Sequence, residues 1–378
     1  MASKSSAAVL DSGSGGSLQH SAGASKALNE ASGFLDTLLR TTGPLTAAQQ
    51  CELEHYRFGV EKVPNHKIQE EDNVETFDPS KDTRRLIQLA AEKSDDTYAT
   101  LSEPLSNSIT FEIKAVLDRK KVRGTVVDNM LVVAIRGSVT LMDWMVNGNG
   151  EPVSSQDIGT PPAQFHRGFL AVAEAMQERL AKHIQATVES WKATQTSPSS
   201  SQLDLLLTGH SAGGAVAQLL YAMAGSASSR LAFTAVVPNF RQVHCITFGA
   251  PPITTIPIQP PARDPFRSGL FLSIINEGDP VPLAQKEYID AVIQVFVLSP
   301  EKAEELYHDG YPVPRPVFRA SGTCVVLRDQ DASNLALNRW TAVLIPEERL
   351  HQKLFANVAV HSGSEYLERC KLLFARGG

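Results

Sequence analysis

The stretch Leu203-Asp-Leu-Leu-Leu-Thr-Gly-His-Ser-Ala-Gly-Gly-Ala-Val-Ala-Gln218 constrains this chain more than any other. Leu203, Leu205, Leu206 and Leu207 form a short apolar run suited to a central parallel strand buried on both faces. Gly209 and Gly213 stand two residues either side of Ser211, where side chains would collide if the chain turned sharply from strand into helix. Gly214-Ala-Val-Ala217 then supplies small residues for a helix packed closely on a sheet. The pattern predicts a nucleophile elbow centred on Ser211: a serine in a strained backbone conformation, with Oγ pushed out of the turn and a helix N-terminus beside it. Free N–H groups at that terminus suit a developing oxyanion. A glycine-flanked serine alone is a modest signal, and an inert serine in a glycine-rich turn is the alternative. The strand before it and the small-residue helix after it favour the elbow.

The same alternation of apolar strands and long helices runs through the core of the chain. Strands are expected at 130–135, 203–208, 242–248 and 269–276, with helices at 167–190 and 212–224. Strands separated by helices imply right-handed crossovers and a mainly parallel sheet with helices on both faces. Upstream, 108–114 and 125–135 read as strands and 82–99 as a helix; downstream, 321–327 and 341–345 read as strands. Residues 1–27 are too rich in Ser, Ala and Gly to order themselves, and 28–82 reads as a helical N-terminal extension. Residues 83–378 remain as the α/β domain.

Composition excludes several classes. With 378 residues, 42% hydrophobic and 20% charged, the chain has the make-up of a soluble globular protein. A net charge of −6 without a basic stripe argues against a nucleic-acid partner. No apolar run is long enough to span a bilayer, and the first residues break off short of a secretory signal, so a cytoplasmic protein is expected. The four cysteines, Cys51, Cys245, Cys324 and Cys370, are widely spaced, which suggests neither a zinc site nor a disulfide framework.

A serine nucleophile needs a base, and the base needs an orienting acid, in the chain order Ser, acid, His for this type of elbow. Asp279 lies in the turn after the 269–276 strand, at the edge where ligands bind in open α/β sheets; Glu277 is the nearest rival. Three histidines follow: His308 in a turn-like Asp-Gly context, His351 in a charged helical run, and His361 after the apolar segment 355–360. A loop histidine beyond an apolar element can reach over the sheet edge, which favours His361. The backbone N–H of Ala212 and that of Ser138, at the tip of the 130–135 strand, are the candidates for an oxyanion hole. Neither metal nor organic cofactor is needed for such chemistry.

Five ordered motifs together make the chain resemble the class 3 lipases of the α/β-hydrolase fold: Val132-Val-Ala-Ile-Arg-Gly-Ser138 with Asp143-Trp144, Phe165-His-Arg-Gly-Phe169, Thr208-Gly-His-Ser-Ala-Gly-Gly214, Thr247-Phe-Gly-Ala-Pro251, and 276–282. The resemblance spans about residues 83–375. It implies a triad of Ser211, Asp279 and His361, the last accompanied by Tyr366, and an oxyanion hole from Ser138 and Ala212. It also implies structural roles for His210 and His166 and a lid within 139–164. Ile135 replaces the usual aromatic before Arg-Gly, and Asn147 stands where aspartate is common; neither removes chemistry. The substrate implied is a lipid ester, met at a membrane or lipid-droplet surface. A thioester or small soluble ester, and a non-catalytic scaffold that binds a ligand or partner, stay as alternatives. Oligomeric state leaves no mark in the sequence.

Overall fold

The computed structural model describes residues 29–31, 33–34, 37, 46–99, 110–114, 121–137, 150–159, 163–195, 202–228, 230–329 and 340–374. The expected tail 1–27, the oxyanion candidate Ser138 and lid residues 139–149 and 160–162 lie outside them.

Strands β1 (Glu75–Thr76), β2 (Thr110–Lys114), β3 (Lys121–Val127), β4 (Met130–Ile135), β7 (Leu203–His210), β8 (Phe240–Phe248), β9 (Phe271–Asn276), β10 (Thr323–Asp329) and β11 (Trp340–Leu344) form one sheet. Its order is β1-β11-β10-β9-β8-β7-β4-β3-β2, nine strands in all. The middle of the sheet, β4-β7-β8-β9-β10, is parallel throughout. Antiparallel strands close both margins, with β3 and β2 beyond β4 and β11 and β1 beyond β10. A separate two-stranded ribbon joins β5 (Pro152–Val153) to β6 (Phe165–His166).

Period-two alternation sends successive side chains to opposite faces, and both faces are buried. Leu205 and Leu207 face the helices Arg167–Thr194 and Ala212–Gly225, whereas Leu206 faces the helices Lys81–Asp96 and Gly363–Phe374. All three leucines are fully buried. This explains why β7 reads as an uninterrupted apolar run rather than an alternating one. The Lys81–Asp96 helix begins at Ser80, whose side chain accepts from the Thr83 N–H, and buries Leu86, Ile87, Ala90 and Ala91 against the sheet.

The run 125–135 is not the single strand that its apolar character suggests. It straddles the hairpin of β3 and β4, with Asp128 in the left-handed region at φ +52° where the chain reverses. Aspartate tolerates that conformation better than most residues, so Asp128-Asn129 is a turn signal inside an apolar stretch. Segment 284–320, to which the sequence reading assigns no helix or strand, holds the helices Lys286–Phe296 and Pro300–Tyr307. The N-terminal helix Ala47–Val60 packs on both of these. Of the four cysteines, Cys245, Cys324 and Cys370 are buried, Cys51 is exposed, and all are free thiols. No described helix is long and apolar enough to cross a membrane.

Replacing Leu207 with alanine leaves a cavity between sheet and helices, at a cost of about 2–5 kcal/mol. Urea unfolding should register that loss; a loss under 1 kcal/mol would mean that β7 is not the packed centre of the sheet.

Candidate active site

β7 delivers Ser211 to the carboxyl edge of the sheet, where the chain turns at once into the Ala212–Gly225 helix. Ser211 has φ +58° and ψ −134°, a conformation that costs an L-residue on the order of 1–3 kcal/mol. Hydrogen bonds hold it there: its N–H donates to the Phe248 carbonyl at 2.8 Å, and its own carbonyl accepts from the Gly214 N–H at 2.9 Å. A Cβ on Gly209 would stand 2.5 Å from the Gly213 carbonyl carbon, and one on Gly213 would run into the Ile135 carbonyl oxygen. Both positions must be glycine if the helix is to start this close to β4 and β7. Ala212 is the first helical residue, and the N–H groups of a first turn have no partner within the helix.

His361 ends a short 3-10 turn, Val358–His361, ahead of the Gly363–Phe374 helix. Its Nε2 lies 3.1 Å from Ser211 Oγ and its Nδ1 lies 2.8 Å from Asp279 Oδ2. A carboxylate only accepts, so Nδ1 carries the proton and Nε2 is left to accept from the serine hydroxyl. Asp279 is completely buried. Its Oδ2 also accepts from the Tyr366 hydroxyl at 2.6 Å, and its Oδ1 accepts from the Val281 N–H at 2.9 Å. Tyr366 in turn accepts from the Asn276 N–H, and the Asn276 amide donates to the Val360 carbonyl. Burial first, then the nearby Asp279 charge, holds the Tyr366 hydroxyl well above its ordinary pKa, so it remains a donor. Ser211 and His361 are only 5% and 9% exposed.

A second buried chain runs behind the elbow. His210 Nε2 lies 2.5 Å from the His361 carbonyl, His210 Nδ1 lies 3.0 Å from the Tyr98 hydroxyl, and the Gly137 N–H donates to Tyr98 at 3.2 Å. The carbonyl can only accept, so Nε2 bears the proton, Nδ1 accepts from Tyr98, and the tyrosine oxygen receives Gly137. All the groups take one orientation. Burial, with a smaller effect from adjacent His361, drives His210 down to about 3, and burial pushes Tyr98 up to about 12. The chain therefore stays uncharged while tying β4's end, the elbow and the His361 backbone together.

The rival residues lie elsewhere. Glu277 accepts from the Ile68 N–H at 2.8 Å and pairs with Arg328. His351 Nε2 accepts from the Ala320 N–H, and His308 is exposed beside Asp309. His166 packs its ring against Phe169 and Phe318, with centroids 4.6 and 5.4 Å away. Tyr98 was not anticipated from the sequence. Its only mark there is its place at the end of an amphipathic helix, and its partners are 39 and 112 residues away.

Residues 132–288 match the family model described as Lipase (class 3). The fold is similar to that of a lipase from Rhizopus microsporus var. chinensis, at 15% identity and TM-score 0.48, covering 81% of this chain and 92% of that one. It is also similar to lipase II from Rhizopus niveus, at 13% identity and TM-score 0.47, covering 77% and 99%. A third similar structure is a triacylglycerol lipase from Penicillium expansum, at 16% identity and TM-score 0.44, covering 68% and 84%. No curated protein sequence matches the chain. The matched segment, which carries most of β4, the elbow and the Asp279 turn, is thus similar to the class 3 lipases.

Because His210 titrates near 3 when folded and near its ordinary 6.5 when unfolded, acid protonates the unfolded chain first. The folded state should lose about 1.4 kcal/mol per pH unit from this group as pH falls from 6.5 toward 3. Urea unfolding of wild type and His210→Gln at pH 7 and pH 5 should show the variant spared about 2 kcal/mol of the acid-induced loss. Equal losses in the two proteins would contradict the buried neutral imidazole.

Proposed function

We propose that this chain hydrolyses carboxylic esters of acyl lipids through Ser211 as nucleophile, His361 as general base and Asp279 as orienting acid. The observation that carries the reading is the continuous line from Ser211 Oγ through both ring nitrogens of His361 to the buried Asp279 carboxylate. In the first half-reaction His361 Nε2 takes the hydroxyl proton as Oγ attacks the acyl carbon, and the imidazolium then returns it to the leaving alcohol. Asp279, already satisfied by Tyr366 and the Val281 N–H, stabilises that imidazolium without taking its proton. The Ala212 N–H, with the Ser138 N–H as second donor, holds the oxyanion. Water resolves the acyl-enzyme by the same steps in reverse roles.

A cleft of about 280 Å³ lies at the same edge of the sheet, with Glu151, Lys286 and Glu287 among its lining residues. Phe169, Pro251, Pro252, Val317 and Phe318 give it apolar walls; Ser211 is not among its lining residues. By the resemblance to the class 3 lipases we assign a lid to 139–164, working at a membrane or lipid-droplet surface.

Purified protein assayed on p-nitrophenyl esters of increasing acyl length should turn over longer chains faster. Ser211→Ala should abolish turnover, and Asp279→Asn should lower kcat about 10⁴-fold by favouring the wrong tautomer of His361. Wild type no faster than Ser211→Ala on every ester would sink the enzyme reading and leave the binding scaffold. Preference for acetate or for thioesters would move the substrate class.

A further inference from the structure

The acid and the base come from parts of the chain 82 residues apart, and the N-terminal segment touches both of the stretches that carry them. After the Ala47–Val60 helix the chain runs past the acid turn as a strap, 63–73, with 3-10 turns at Pro64–His66 and Glu70–Asp72, before β1 adds to the sheet against β11. Near the start of the strap, Asn65 uses both its side-chain amide and its backbone carbonyl. Its carbonyl accepts from the Leu354 N–H at 2.8 Å, and its amide donates to the Gln352 carbonyl at 2.7 Å and the Tyr311 carbonyl at 3.0 Å. Its Oδ1 accepts from the Tyr311 N–H at 2.9 Å. Leu354 lies seven residues before His361.

Further along, buried Ile68 meets the acid turn. The Ile68 N–H donates to Glu277 Oε1 at 2.8 Å, and Arg328 bridges the two by donating to that same oxygen at 3.2 Å and to the Ile68 carbonyl at 2.9 Å. Glu277 is two residues before Asp279. Asp72 then pairs with Lys353, the side chains 6% and 4% exposed, so both charges are out of water. The acid turn and the base segment also meet directly: the Asn357 N–H donates to the Gly278 carbonyl at 2.8 Å. A buried ion pair contributes little net stability, because desolvation offsets the attraction, yet it enforces one register of the segments it joins. Asn65 and the Asp72–Lys353 pair grip the base segment, Glu277 grips the acid turn, and one short strap carries both grips.

We propose that the strap, through Asn65 and through its contact with Glu277, sets the separation of His361 and Asp279, and that Asn65 and Glu277 are positioning residues for catalysis. This rests on the hydrolase reading above, with Glu277 working on the reaction through the backbone of the acid turn. Rigid support of this kind matters because a displacement of about 1 Å among reacting groups can cost about 100-fold in rate.

The test uses full-length Glu277→Ala, Glu277→Gln and Asn65→Ala. Kinetics on p-nitrophenyl butyrate are paired with backbone hydrogen exchange over 276–283 and 354–361, and the elbow, 205–215, serves as internal reference. Glu277→Ala and Asn65→Ala should lower kcat about tenfold with KM within about twofold. Glu277→Gln keeps an acceptor for the Ile68 N–H and should lose only about threefold. Exchange should rise in both segments and stay unchanged in the elbow. Asn65→Ala removes no formal charge, so its effect cannot come from a changed net charge near the site. Values of kcat within twofold of wild type for both alanine variants, with unaltered exchange, would overturn the proposal, and so would a lowered Tm alone. If the wild type hydrolyses nothing, the hydrolase reading falls and exchange alone decides: faster exchange supports the strap, unchanged exchange refutes it.

Discussion

The positive φ of Ser211 is the constraint on which the rest of the structure depends. It persists only because the surroundings over-determine it. The parallel register sets Gly209 beside Ile135 of β4 and His210 beside Phe248 of β8, so the Ser211 N–H finds the Phe248 carbonyl as soon as the strand ends. The helix can begin at Ala212 only because glycine at 209 and 213 lets backbone approach backbone. Five parallel strands buried on both faces hold these atoms fixed, so the serine hydroxyl stands at the sheet edge without any contribution from its own side chain's packing.

Two imidazoles sit side by side behind that serine, with ring centroids 4.7 Å apart, and the physics separates their roles. His361 donates from Nδ1 to a buried carboxylate, which fixes its ring with Nε2 toward Ser211. His210 has only neutral partners, a carbonyl and a phenol, so burial dominates and keeps it uncharged. A neutral His210 donates to the His361 carbonyl and so steadies the backbone that carries the His361 ring. Asp279 meets the cost of burial in another way, with three donors replacing water around its two oxygens.

The parts of the site legible in the sequence are those written in local pattern. The elbow is one contiguous run whose glycines and leucines each answer a steric demand, and β7, β8 and β9 were readable because parallel strands are apolar throughout. Asp279 was reachable because it follows a strand end, and His361 because an apolar segment precedes it. The hairpin at Asp128-Asn129 was hidden because both of its strands are apolar, which merged them into one run. Tyr98 and the strap could not be read at all, because their meaning lies in partners far along the chain. Glu277 looked like a second candidate acid; only the packing of Ile68 and Arg328 around it assigns it other contacts.

The most direct test of the central account is covalent. An alkyl fluorophosphonate incubated with the folded protein should add one phosphonyl group, located at Ser211 by peptide mass spectrometry. With His361→Ala the same adduct should form at least about 10³-fold more slowly, since the hydroxyl then lacks its base. No adduct, an adduct on another serine, or labelling of Ser211 at the same rate without His361 would contradict the account.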